Sequence, residues 1–198
     1  MVDVIRTRRS VSQPRMDPSR EPDHAVAREA LESARWAPNH KRTEPWRFYL
    51  LDDARIARLA ELNAELLTRS GSKPDKVASK LREWGVQRGV VIITCASAQG
   101  ADEITRAEDR YAVACAAQNF MLHLWSEGIA SKWSTARVWE HEDFWPLLGH
   151  GSDGGAAADG GNPEEVMGLF FYGHALEAPP AKRNKELADV LVDFRAVG

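Results

Sequence analysis

Cysteine is scarce in this chain: Cys95 and Cys115 are the two among 198 residues, and they form no CxxC pair. Cys95 sits in an apolar, strand-like run and Cys115 in an alanine-rich stretch, so both read as buried thiols of a reducing compartment. Long hydrophobic runs are absent too, and none approaches the roughly 20 residues that a membrane-spanning helix needs. Neither sign of charge dominates, with 26 basic against 29 acidic side chains and a net charge of −3. No global basic field therefore points to nucleic acid or to an anionic membrane. The opening MVDVIRTRRSVSQPR is basic but has no apolar core, so it does not read as a signal peptide. A soluble, cytoplasmic protein is the expectation.

Several catalytic signatures are missing as well. GxxxxGK[ST], HExxH and GxSxG do not occur, and no metal site is expected from six histidines of which only His141 and His150 lie near one another. Gly149, Gly151 and Gly154 spell G-x-G-x-x-G. That fingerprint works only where it follows a strand and opens a helix, so that a pyrophosphate meets the helix N-terminus. A Trp/Pro-containing segment precedes it here and AAADGGNP follows, so it reads as a loop. No internal repeat is visible.

What is present is ordinary in amount and particular in order. Hydrophobic residues make up 43% and charged residues 28%, and residues 1–198 are enough for one domain with a real core. Apolar positions Val26, Ala27, Ala30, Leu31 and Ala34 predict a helix over 23–36, with Asp23 as N-cap and Pro38 as its stop. Trp46–Leu51 predicts a strand; 53–68 and 72–84 predict two further helices. The β-branched run Val90–Ala96 predicts a central strand buried on both faces. The longest helix is expected over 107–127, ended by Gly128 in a left-handed conformation. A short strand at 129–135, an interrupted helical segment at 139–148, a low-complexity loop from Gly149 to Gly161 and a strand at 166–173 complete the core. The tail beyond it carries Leu187, Val190, Leu191, Val192 and Phe194, and should pack on something, with a partner subunit as a candidate. Strands separated by long helices mean α/β or α+β.

Two cationic groups lie far apart in the sequence. Arg8 and Arg9 precede Ser10 in RTRRS; Lys182, Arg183 and Lys185 follow Pro179–Pro180. Guanidinium pairs grip phosphate oxygens bidentately, although a solvated basic terminus explains RTRRS as well. Between helix and strand, the turn of APNHKRTEPWRFYLL carries His40, Lys41, Arg42 and Glu44, more polar chemistry than a connector needs. Tyr111 and Gln118 are read as solvating or bridging the faces of the long helix. A DNA- or RNA-binding arm is weighed and set aside, since RRS lacks the extended basic and aromatic interleaving of such arms.

RRS at 8–10, RWAPNHKRTEPWRF from Arg35, NFMLHLWSEGIASKWST and GLFFYGHALEAPPAKR together resemble the FMN-dependent nitroreductase family, in particular its short NAD(P)H nitroreductase members. The resemblance covers nearly the whole chain and rests on the order of the pieces. It implies an α+β fold with a mixed, mostly antiparallel sheet flanked by helices, and a homodimer with an exchanged C-terminal segment. Two FMN molecules would lie at the dimer interface. By position it implies that Arg8, Arg9 and Ser10, with Lys182 and Arg183, hold the FMN phosphate and ribityl chain. Trp133, Ser134 and Thr135 would lie along the isoalloxazine ring. His40, and with it Trp36, would reach the cofactor of the other subunit. Many larger members carry Asn and Gln in the turn where Arg42 and Glu44 stand.

The activity implied is ping-pong turnover: NAD(P)H reduces the flavin and leaves, and a nitroaromatic, quinone or similar acceptor takes its place. No residue is assigned as catalytic, because the cofactor supplies the chemistry and solvent the protons. Alternatives are another flavin reaction on the same fold (dehydrogenation, dehalogenation or cleavage of the flavin), or a flavin-carrying regulatory dimer without turnover.

Overall fold

The computed structural model describes residues 2–151 and 164–195. Of the low-complexity loop, only its first residues are therefore described, and Gly154 lies outside the described residues. The element order is α1 (Val2–Thr7), α2 (His24–Ala34), β1 (Trp46–Leu50), α3 (Asp53–Arg69), α4 (Pro74–Gly85), β2 (Val90–Cys95), α5 (Glu103–Ser126), β3 (Ala130–Ser134), α6 (Phe144–Leu147) and β4 (Glu165–Gly173).

The strands form one sheet in the order β1-β2-β4-β3, and all three ladders are antiparallel. Beyond them, a parallel bridge joins Ser10 to Ser131. Every residue of β2 is buried, as its uninterrupted β-branched run requires, because helices cover both faces of the sheet. Val91, Ile93, Phe170 and Tyr172 face α2 and α5; Val90, Ile92, Leu169 and Phe171 face α3 and its neighbours. Alternate residues of one strand thus feed two cores, the period-2 geometry of a pleated sheet.

Helix ends follow from local chemistry. Asp23, Asp52 and Asp102 cap α2, α3 and α5 by accepting from the backbone N–H of Ala25, Arg55 and Thr105. At the far end of α5, Gly128 takes φ +75°. Its N–H bonds to the Trp125 carbonyl while Ile129 bonds to Leu124, the paired bonds of a Schellman cap.

Some expectations shift. Helix α5 begins at Glu103, a turn earlier than its apolar stripe suggested, because Asp102 caps a first turn that is mostly exposed. The expected helix at 72–84 starts at Pro74, the position that proline favours. The segment at 139–148 splits into a 3-10 turn, Arg137–Glu140, and α6. Cys95 is buried, but Cys115 is exposed. On the 3.6-residue repeat Cys115 shares the outer face of α5 with Tyr111, whereas Ala112, Ala116 and Ala117 face inward, so its alanine-rich neighbourhood misled the reading. Among the described residues the apolar side chains of the tail stay open: Leu187 and Val192 are exposed and Phe194 is 86% exposed.

Candidate functional site

The segment with Arg8, Arg9 and Ser10 follows α1 and runs along the edge strand β3. The Val11 N–H donates to the Ser131 carbonyl at 3.1 Å, which completes the Ser10–Ser131 bridge. This places Ser10 beside the strand that ends in Trp133, Ser134 and Thr135. Arg8 is half-buried and donates weakly to the Ser10 hydroxyl at 3.4 Å. Burial lowers its pKa, and the charges of Arg183 and Arg9 lower it further. Arg183 is thus brought within electrostatic range of Arg8 from 175 positions away in the sequence. Among the described residues no carboxylate forms an ion pair with Arg8 or Arg183, whereas most other arginines with ion pairs meet a carboxylate within about 3 Å.

Arg9 does a second job. Its Nη1 donates to the carbonyls of Arg6 at 2.8 Å and Arg8 at 2.9 Å, which covers open acceptors at the end of α1. Lys182 and Arg183 are exposed, and Arg183 donates locally to the Lys182 carbonyl at 3.1 Å.

Trp133 lies flat against β4. Its Nε1 donates to the Met167 carbonyl at 3.0 Å, and its ring tilts against Phe170 with centroids 5.0 Å apart. Ser134 is half-buried and Thr135 exposed. Ser134 also lines a cavity of about 230 Å³ with Gln13, Lys76, Lys80 and Trp84.

The cationic turn is a separate construction. Lys41, Arg42 and Glu44 have φ of +57°, +54° and +45°, conformations that cost non-glycine residues about 1–3 kcal/mol each. Anchors hold them there. His40 Nδ1 lies 2.8 Å from Glu108 Oε2, and Lys41 Nζ lies 3.5 Å from Thr105 Oγ1. Asn39 accepts from the Glu44 N–H at 2.8 Å and donates to Thr43 at 3.0 Å. Thr43 Oγ1 in turn donates to Asp109 Oδ1 at 2.5 Å. Trp36, at the end of α2, is 82% exposed. Among the described residues no hydrogen bond or ion pair links His40 or Trp36 to Arg8, Ser10 or the end of β3.

Two groups escaped the reading of the sequence. Asp109 is 1% exposed, and its Oδ2 has no partner among the described residues, an arrangement that costs about 1–3 kcal/mol for an unsatisfied buried acceptor. Its only signal is an acidic residue on a core-facing position of α5. The second is a buried cluster around Glu164. Tyr49 donates to Glu164 at 2.8 Å, Thr94 Oγ1 also donates to it, and Tyr49 lies 2.7 Å from His150 Nε2. His150 and Glu164 flank the glycine-rich stretch in sequence, which hides their closeness.

The fold is α+β, with a cation-bearing segment along the edge strand of its sheet. The nitroreductase family pattern matches residues 5–140. The chain belongs to the nitroreductase family. YfhC of Bacillus subtilis (strain 168), which carries an NAD(P)H nitroreductase name, is 28% identical over 190 residues, covering 94% of this chain and 90% of that one. Among solved structures, a nitroreductase-like family protein from Bacillus cereus superposes with a TM-score of 0.75 at 22% identity, over 98% of this chain and 95% of that one. The FMN-dependent nitroreductase NfnB from Mycobacterium smegmatis, solved with NADPH, gives 0.68 at 17% identity, over 98% and 97%.

Proposed function

We propose that two copies of this chain form an FMN-dependent oxidoreductase, which takes reducing equivalents from NAD(P)H and passes them to a nitroaromatic, quinone or similar small acceptor in ping-pong order. One observation carries the reading: a half-buried arginine, Arg8, which feels the positive charges of Arg183 and Arg9 and has no ion-paired carboxylate among the described residues. Like charges held together without a counter-charge are costly, and a phosphate dianion relieves that cost through charge-assisted hydrogen bonds. Family membership and the FMN- and NADPH-related names of relatives support the choice of ligand.

Bound FMN would supply the capacity to accept and release two electrons. The chain's part is binding, orientation and electrostatics. Arg8, Arg9 and Arg183, with Lys182 from the same tail, would hold the phosphate, and Ser10 the ribityl chain beside it. Trp133, Ser134 and Thr135 would present a flat wall to the ring. His40 and Trp36, which no hydrogen bond or ion pair among the described residues joins to this cluster, would reach the ring of the partner copy. The exposed Leu187, Val190, Leu191, Val192 and Phe194 need cover, and a second copy onto which the tail crosses supplies it. A donor hydrogen bond or positive charge near the ring stabilises its reduced form, and a shift of about 30 mV corresponds to about 1.4 kcal/mol. No side chain is assigned a proton-transfer role, and solvent serves.

The test is an absorption spectrum of the purified protein before and after anaerobic NAD(P)H. Flavin bands that bleach with the donor and return with a nitroaromatic or quinone are the expected result. A colourless protein that neither binds added FMN nor gains thermal stability from it would sink the proposal.

A further inference from the structure

Helix α5 reaches the cationic turn through a link that stability does not explain. Asp109 is almost fully buried, and among the described residues its side chain makes one hydrogen bond, to Thr43, and leaves Oδ2 without a partner. An apolar residue at that place on α5 would fill the space without an orphaned acceptor. What Asp109 does hold is the middle of a turn in which Lys41, Arg42 and Glu44 all take left-handed backbone conformations. Thr43 is the junction: it donates to Asp109 and accepts from Asn39, whose side-chain oxygen in turn takes the Glu44 N–H. The ties of His40 to Glu108 and Lys41 to Thr105 lie in exposed surroundings and hold weakly. The Asp109–Thr43 bond is the short and sheltered one.

We infer that Asp109 is a positioning residue: through Thr43 it fixes the conformation in which the turn presents His40, Lys41 and Arg42 to the ligand. The inference rests on the flavin reading above and adds to it a residue that acts through Thr43. Loss of the link frees the turn to relax out of its left-handed conformations, which takes His40 and Arg42 out of register without unfolding the core.

The experiment compares Asp109→Ala, Thr43→Val and the double variant with the wild type, and Asp109→Asn as the conservative control. FMN titration, the midpoint potential of bound flavin and its visible circular dichroism are measured, with the melting temperature of the flavin-free protein alongside. Each single variant is expected to weaken FMN binding about tenfold, equivalent to about 1.4 kcal/mol, and to shift the potential and the dichroism. The double variant should lose no more than either single one, because both cut the same link. Asp109→Asn, which keeps an acceptor for Thr43, should bind within about threefold of wild type. If Asp109→Ala does not fold, Thr43→Val carries the comparison alone. Wild-type affinity and potential in Thr43→Val would overturn the positioning role and leave the flavin reading standing. A wild-type protein that binds no FMN would overturn both.

Discussion

Gly168 lies directly beneath the indole of Trp133: a Cβ at position 168 would stand 2.1 Å from Trp133 Nε1. The two residues lie diagonally across the β3–β4 ladder, Gly168 being two positions along β4 from Phe170, the register partner of Trp133. The close approach lets the indole lie flat and donate to the Met167 carbonyl. A flat aromatic wall at the end of β3 therefore depends on the absence of a side chain on the next strand.

Gly168→Ala should push the indole off β4 and break its hydrogen bond. The expected cost is about 1–3 kcal/mol of stability, as for other overpacked sites, read from urea denaturation with a red-shifted tryptophan emission. If Trp133 lines the flavin site, bound flavin should show an altered visible spectrum in the same variant. An unchanged melting curve and emission would mean that the strands part without cost.

Arg8→Ala combined with Arg183→Ala should remove FMN from a protein that stays folded. Neither arginine is ion-paired with a carboxylate among the described residues, so their loss strands no buried anion. The expected loss of affinity is on the order of 2–5 kcal/mol for two charge-assisted contacts. FMN retained at one equivalent per chain after gel filtration would refute the phosphate assignment.

Tyr49→Phe should destabilise the fold by about 1–3 kcal/mol. Its hydroxyl has one proton, which goes to Glu164, so it accepts from the Nε2–H of His150. Phenylalanine leaves two polar groups, both nearly inaccessible, without this bridge. Chemical denaturation monitored by far-ultraviolet dichroism checks it, and a midpoint equal to wild type would show that other groups take over both bonds.

Glu142 gives an acid-range prediction. The guanidinium fork of Arg69 donates to both of its oxygens at 2.8 Å and lowers its pKa from 4.5 to about 2. A folded-state pKa below the unfolded one adds stability above about pH 4.5, and that stability is lost as pH falls toward 2. The melting temperatures of wild type and Glu142→Gln should therefore differ at neutral pH and converge between these limits. Because the pair is exposed, 1 M salt should shrink the difference at neutral pH. A difference that is constant with pH would assign the effect to packing.

The strands and most helices were legible in the sequence because their signals are local. Asp23 caps the helix that follows it, and the unbroken run of β2 could be satisfied only between two covered faces. Where a signal depended on which side of a helix faces inward, local reading failed. Cys115 shares its composition with buried neighbours but not their direction. The start of α5 was missed because its first turn is mostly exposed and carries no core-facing stripe.

The candidate site divides in the same way. The cationic segments, the polar turn and the Trp-Ser-Thr strand end could be picked out by residue type alone. By itself the sequence determined the strands and most helices, the two-sided core and the family to which the chain belongs. Only the tertiary structure decided which groups act on one another: Arg183 within electrostatic range of Arg8, Thr43 on Asp109, and Glu164 joined through Tyr49 to His150. Hydrophobic periodicity reports which way a residue faces, whereas a hydrogen bond or an electrostatic contact is a matter of a few ångströms between positions that may lie more than a hundred residues apart, and no spacing along the chain encodes that distance.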